Sequence, residues 1–389
     1  MNGSTSFLRT ALRDCLHKTR RRSSCIPRVL LLVAACMACT ASSAHAQSWV
    51  LGPFHRPVAT PAISPDPHAS FLDPVSGKTV HWEYAHTFNP AATLRDGKVV
   101  LLYRAEDNTG TEQIGRHTSR LGLAQSSDGI HFAAQSAPVF FPANDAQRSR
   151  EFPGGTEDPR LVRTENGTYV LTYTQWNRKQ YTVGIATSKD LVHWTKHGPA
   201  FADAANGTYK NLSSKSAGIL TRLDHGRLVA ARLHGKYWMY WGEITIRLAT
   251  SSDLVHWTPV EDASGRPLVL LGRRPGLFDS AFPEVGPPPV LTSHGIVVLY
   301  NGKNALKDGA PGIGPGAYSA GQALFSATDP TQLLSRLNQP YLKPELPFEK
   351  TGQYVDGTVF TEGLVFFNHA WFLYYGAADS YVGVAEWKP

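Results

Sequence analysis

The chain has 389 residues, 38 basic and 31 acidic side chains, a formal net charge of +7, four cysteines and 11% aromatic residues. Residues 1–46 hold seven of the basic residues, one acidic residue and all four cysteines (Cys15, Cys25, Cys36 and Cys39), leaving 31 basic against 30 acidic residues and a net charge of +1 beyond them. Without that segment, disulfides, thiol catalysis and cysteine metal sites are excluded, and no electrostatic argument for a nucleic-acid or acidic-lipid partner survives.

The segment itself reads as an export signal. Arg20-Arg-Arg22 and Arg28 precede an apolar run from Val29 to Ala38, and Ala44-His-Ala46 offers a small-residue cleavage site. The run is too short to span a membrane, so the mature chain is expected to have no transmembrane span. Val33-Ala-Ala-Cys36 resembles a lipobox, so export leads to a periplasmic, secreted or lipid-anchored protein. Residues 47–80 are rich in Pro and His with little periodicity and read as an N-terminal arm over the first unit of the domain that follows, residues 81–389.

That domain repeats. Five apolar strands end in tyrosine: Lys98-Val-Val-Leu-Leu-Tyr103, Thr168-Tyr-Val-Leu-Thr-Tyr173, Lys236-Tyr-Trp-Met-Tyr240, Gly295-Ile-Val-Val-Leu-Tyr300 and Ala370-Trp-Phe-Leu-Tyr-Tyr375. Just upstream stand Asn89-Pro, Glu157-Asp158-Pro-Arg160, Lys215-Ser, Glu284-Val-Gly-Pro and Phe360-Thr-Glu362. A second signature, Ser-Asp followed by His and an aromatic, recurs at Ser127-Asp-Gly-Ile-His-Phe132, Ser188-Lys-Asp-Leu-Val-His-Trp194 and Ser252-Asp-Leu-Val-His-Trp257. Units of this size cannot bury their faces alone, and helical periodicity is nearly absent. The expectation is an all-β five-bladed β-propeller, with the polar residue opening each inner strand aimed into one central cavity.

Candidate chemistry follows from that geometry. Asp158 stands before an inner strand with Pro159 fixing its backbone, and a carboxyl in a dry cavity can have its pKa raised enough to donate a proton. An Asp-Pro turn with Asp158 paired to Arg160 is the alternative. Glu284 precedes the stiff run Pro287-Pro-Pro289, and Glu243 ends the aromatic segment Tyr237-Trp-Met-Tyr-Trp-Gly-Glu243. Three carboxylates aimed at one cavity meet the need of glycosidic hydrolysis for an acid and a base. Asn89, Arg104, Asp107, Arg160, Lys215 and Asp379 are candidates for hydrogen bonds to sugar hydroxyls. Tyr240, with Trp176, Trp238 and Trp241, is a candidate for stacking on sugar faces. The fifteen histidines show no metal spacing and no serine-nucleophile elbow is present, so no metal or cofactor is expected.

Phe88-Asn-Pro-Ala, Leu102-Tyr-Arg-Ala-Glu-Asp107, Gly155-Thr-Glu-Asp-Pro-Arg160, Glu284-Val-Gly-Pro-Pro-Pro289 and Tyr375-Gly-Ala-Ala-Asp379 look like glycoside hydrolase family 130, from about residue 84 to the end. The resemblance implies a five-bladed propeller acting with inversion on β-mannosides, by phosphorolysis or hydrolysis. It implies that Asp158 is the general acid, relaying its proton through a hydroxyl of the bound mannose. The phosphorylases carry a basic His-Arg pattern where this chain has Tyr240-Trp-Gly-Glu243. The hydrolytic members, several specific for β-1,2-linked mannose, place two water-activating glutamates at the positions of Glu243 and Glu284. The expected activity is therefore exo hydrolysis of β-linked manno-oligosaccharides. Export favours this too, because a sugar 1-phosphate conserves bond energy only if made inside the cell. A phosphorylase using Arg104 and Lys215, or a non-catalytic sugar-binding propeller, are the rivals.

Overall fold

The computed structural model describes residues 48–389, so the segment 1–46, expected to be an export signal, lies outside the described residues. Those residues are nearly all β; the one α-helix among them is the four-residue Arg148–Glu151. No helix among them is long and apolar enough to cross a membrane.

The strands fall into successive antiparallel groups. His86–Arg95, Lys98–Glu106 and Ser119–Ser126 pair in order, the first two across the turn at Asp96 and Gly97. Both turn residues have positive φ, 50° and 72°, the conformation that closes a tight hairpin without splaying its strands. Gly155–Arg163, Tyr169–Trp176, Tyr181–Ser188 and Trp194–Pro199 form the next group. Ala217–Ile219, Lys236–Trp241 and Ile246–Ser251 follow, then Phe282–Val285, Gly295–Lys303 and Tyr318–Phe325. Val359–Phe367, Ala370–Ala377 and Tyr381–Trp387 complete the chain. The middle strand of most groups is buried on both faces, which is why it reads as a continuous apolar run and not as an alternation.

The arm, described here over residues 48–80, takes a different course from the one expected. It does not simply cover the first group. It runs first along the last strand, where the main chains of His55 and Glu386 exchange hydrogen bonds of 2.9 and 2.8 Å. Ile63 bonds Val382 in the same way before Val80 and Trp82 reach the core of the first group. Arg56 locks the crossing by donating to Glu349 at 2.6 and 2.9 Å. Burial of Trp49, Leu51 and Phe54 against the last two groups drives this path.

The recurring tyrosines have a packing role. Tyr103, Tyr173, Tyr300 and Tyr375 each face a glycine on the neighbouring strand: Gly122, Gly184, Gly321 and Gly383. A Cβ at any of these glycines would come within 2.7 Å of the tyrosine ring, so the ring lies flat on bare backbone. Each phenol then donates to a buried carboxylate, in Glu83 (2.7 Å), Glu151 (2.8 Å), Asp279 (2.8 Å) and Glu349 (2.7 Å). The third repeat departs from this, since Tyr240 faces Leu248 and donates to the Pro330 carbonyl.

Candidate active site

The first strands of the groups carry β-bulges where the polar residues stand. Asn89 and Asp158 occupy two of them with φ of 48° and 47°, a left-handed conformation that Asn and Asp tolerate better than other side chains. Each bulge tips its side chain out of the sheet alternation and into a cavity of about 430 Å³. Gly376 leaves room for this, because a Cβ there would lie 2.1 Å from Asn89 Oδ1. Ser216, with φ 54°, makes a comparable bend beside Lys215.

Two charged clusters line the cavity. In the first, Asp158 Oδ1 accepts from Asn89 Nδ2 at 2.8 Å and from Arg104 NH1 at 3.0 Å. Arg104 also donates through Nε to Ser119 Oγ and through NH2 to Glu106, with Glu157 at 2.9 Å. In the second, Lys215 Nζ lies 3.3 Å from Glu284 and 3.8 Å from Glu243, and Ser216 Oγ donates to Glu284 at 2.6 Å. Asp379 and Lys303 complete the charged lining, and Phe88, Trp176, Tyr181, Tyr318, Tyr354 and Phe360 form the aromatic wall.

Burial and shared cations push the acids apart. Desolvation raises Asp158, but Arg104, then Lys215 and Arg160, reverse this and hold it at about 2. The expectation of a raised Asp158 is therefore corrected: its carboxylate is ionised because the attraction of Arg104, Lys215 and Arg160 outweighs its desolvation. Glu157 goes the other way, up to about 7, as desolvation exceeds the pull of Arg104 and two neighbouring carboxylates add to it. Asp379 also reaches about 7, again from desolvation opposed by Arg104. Glu284 is raised by desolvation against Lys215, while burial of Lys215 is outweighed by Glu284 and Glu243, which keep it charged.

The structure brings Asn89, Arg104, Asp158, Lys215, Glu243, Glu284 and Asp379 to one cavity. Three expected binding residues are elsewhere. Asp107 is spent on Arg120 (2.7 Å), Thr109 and the Thr118 amide, because its strand end turns away from the cavity. Tyr240 is buried against Phe325 in the core. Arg160 is buried outside the cavity lining, and it makes no hydrogen bond to the Asp158 carboxylate. It donates to the carbonyls of Asp158 (3.1 Å), Val285 (2.7 Å) and Gly286 (3.1 Å), tying the two acidic strand starts together. Glu362 approaches Arg160 NH1 at 2.9 Å but is not aligned with any donor, so this contact is electrostatic only, and burial raises that carboxyl well above its usual range. Of the tryptophans, Trp176 lines the cavity, while Trp241 packs in the core and Trp238 is engaged with the Leu233 carbonyl.

Sequence reasoning missed Glu157, Tyr181, Lys303, Tyr318 and Tyr354. Glu157 stood inside the motif that drew attention to Asp158, and Lys303 and Tyr318 bound a strand-poor stretch of the kind that forms binding loops. Tyr354 carried no local signal. Beside the cavity, His86, Glu106 and His117 converge, with ligand atoms within 4.8 Å of one another. Reading histidine spacing along the chain could not find this cluster, because three different strand ends build it.

Residues 67–389 match the family described as β-1,4-mannooligosaccharide phosphorylase, glycoside hydrolase family 130. The chain belongs to that family. A 1,2-β-oligomannan phosphorylase of Thermoanaerobacter sp. (strain X514) is 32% identical over 307 residues, 78% of this chain and 90% of that protein. A solved structure described as "The GH130 family of mannoside phosphorylases contains glycoside hydrolases that target beta-1,2 mannosidic linkages in Candida mannan" is 53% identical. It covers 88% of this chain and 95% of its own, with a TM-score of 0.87. A glycosyl hydrolase from Bacteroides ovatus is 50% identical over 88% of this chain and 95% of that one, with a TM-score of 0.86.

Proposed function

We propose that this family 130 member is an exported inverting β-mannosidase that hydrolyses β-1,2-linked manno-oligosaccharides from one end, on a five-bladed β-propeller. The observation that carries hydrolysis is the charge pairing of the cavity. Five carboxylates (Glu157, Asp158, Glu243, Glu284 and Asp379) line it together with three cations, Arg104, Lys215 and Lys303. Arg104 and Lys215 are each engaged by two or more of the neighbouring acids. A phosphate dianion needs unspent cations, and here it would meet carboxylates at the place of attack. The 53% identical structure, whose description includes hydrolases, points the same way.

In this reading Glu284, raised toward neutrality, takes a proton from the water that attacks the anomeric carbon, and Glu243 orients that water. The glycosidic C–O bond breaks with its electrons going to the leaving oxygen. That oxygen takes a proton from a mannose hydroxyl, which Asp158 replenishes. Asp158 is ionised in the free cavity, so the proton it passes on is drawn from Glu157 or Asp379, which hold protons nearby up to about pH 7 and become carboxylates as they give them up. Activity should accordingly fall as the pH rises above about 7.

Incubating the protein with β-1,2-mannobiose, with and without inorganic phosphate, and following products by proton NMR tests the reading. Release of α-mannose independent of phosphate is expected. Mannose 1-phosphate appearing only with phosphate would make the protein a phosphorylase, the activity of its 32% identical relative, with Lys303 as the free cation. Binding without turnover would leave a sugar-binding propeller.

A further inference from the structure

We propose that His86, His117 and Glu106 form a site for a transition-metal dication of the zinc type, outside the mannoside cavity and adjoining it, with Glu112 as a fourth ligand. The strand topology makes the site. His86 opens the strand His86–Arg95, Glu106 ends its partner Lys98–Glu106 opposite it, and His117 lies two residues before the third strand, Ser119–Ser126. One nitrogen or oxygen from each of the three can lie within 4.8 Å of the others. Two imidazoles and a carboxylate are the donor set that binds zinc and neighbouring late first-row metals, and leave a position for another ligand. The Glu112 carboxylate stands 3.7 Å from His86 Nε2 and is otherwise exposed, free to close that position.

A second observation points to a ligand. His117 is only 3% exposed, yet neither of its ring nitrogens has a hydrogen-bond partner, and His86 Nε2, at 8% exposure for the residue, has none either. Buried polar groups in folded proteins are nearly always satisfied. Three unsatisfied imidazole nitrogens around one carboxylate mark a place where something binds. The outer nitrogen of His86 is already fixed as in a metal ligand, since Nδ1 lies 2.8 Å from Ser380 Oγ, which in turn accepts from the Gln353 amide. Glu106 is oriented by Arg104 on one oxygen and by Gln353 on the other.

The site has a consequence for the cavity. The loop between Asp107 and Thr118 supplies His117 and Glu112 to the metal, and Ile114 and Gly115 to the cavity lining. A bound metal would pin both ends of that lining segment to the first strand group.

The test is to strip the purified protein with chelator and titrate it with zinc alone by calorimetry, then with cobalt by visible absorption. The expected result is one zinc per chain and the intense visible bands of four-coordinate cobalt. His117→Gln should weaken binding by ~10-fold or more and abolish those bands. His193→Gln, in an exposed Asp–His pair, should change neither. Undiminished binding in both His117→Gln and His86→Gln would place the metal on the surface pairs and overturn the proposal, as would the absence of saturable binding. If His117→Gln does not fold, the wild-type cobalt spectrum decides alone: pale, six-coordinate absorption sinks the site.

Discussion

Two sets of buried carboxylates in this protein invite comparison. One set repeats: Glu83, Glu151, Asp279 and Glu349 each receive the phenol of a strand-ending tyrosine. Three of them also have a cation beside them: Lys196 for Glu151, Arg274 and Arg336 for Asp279, and Arg56 for Glu349. The other set does not repeat. Glu157, Asp158, Glu243, Glu284 and Asp379 converge on one cavity, where Glu157 and Asp158 share Arg104 and Glu243 and Glu284 share Lys215. Burial is common to both sets. Repetition marks the acids that hold the strand groups together, and its loss marks those that line the cavity.

The largest effect that would sharpen this contrast is Asp158→Asn. Turnover should fall by ~10²–10⁴-fold, the range for removing an acid catalyst, while the thermal midpoint stays near wild type. A fold that collapses instead would move Asp158 into the structural set. The mirror experiment is Glu349→Gln, which takes from Arg56, in the arm, its buried partner and leaves it only Glu345 and the Lys343 carbonyl. Breaking one side of a buried pair costs about 3–5 kcal/mol, so the denaturation midpoint should drop with kcat and KM of the folded enzyme unchanged. A change in kcat would break the comparison.

Glu83 is the one member of the repeated set with a tyrosine and no cation of its own. Desolvation outweighs the Tyr103 hydrogen bond and raises it from 4.5 to about 7. The folded state therefore holds its proton more tightly than the unfolded chain does. The resulting stability is complete below about pH 4.5 and is lost as the pH rises through about 7. In Glu83→Gln, melting temperatures measured across that interval should decline less steeply than in wild type; parallel curves would remove Glu83 from the account. The smallest effect is expected from Tyr240→Phe. It loses one hydrogen bond to Pro330, about 1 kcal/mol, and leaves KM for manno-oligosaccharides unaltered, whereas a raised KM would return Tyr240 to the binding site.

Much of the site was legible because its residues stand upstream of a repeated strand. Asn89, Asp158, Lys215 and Glu284 all reach the cavity, and all precede an apolar run ending in tyrosine. Offsets failed where a side chain had a stronger partner from a distant part of the chain. Asp107 was taken by Arg120, which also bonds Asp73 in the arm, and Arg160 by carbonyls 125 and 126 residues away. Tyr240 misled for a related reason: the third repeat has Leu248 where the others have glycine, and its ring turned into the core.

The sequence by itself determined the β class, the family and the set of polar residues available at the strand starts, since these depend on local pattern, turn chemistry and motif spacing. Tertiary structure alone decided which of those residues share a cation. The depressed Asp158, the raised Glu157 and Asp379, the tie through Arg160 and the meeting of His86 with His117 all arise between segments far apart in the chain. Charge interaction and desolvation act through space at a few ångströms, and no pattern along the chain encodes those distances.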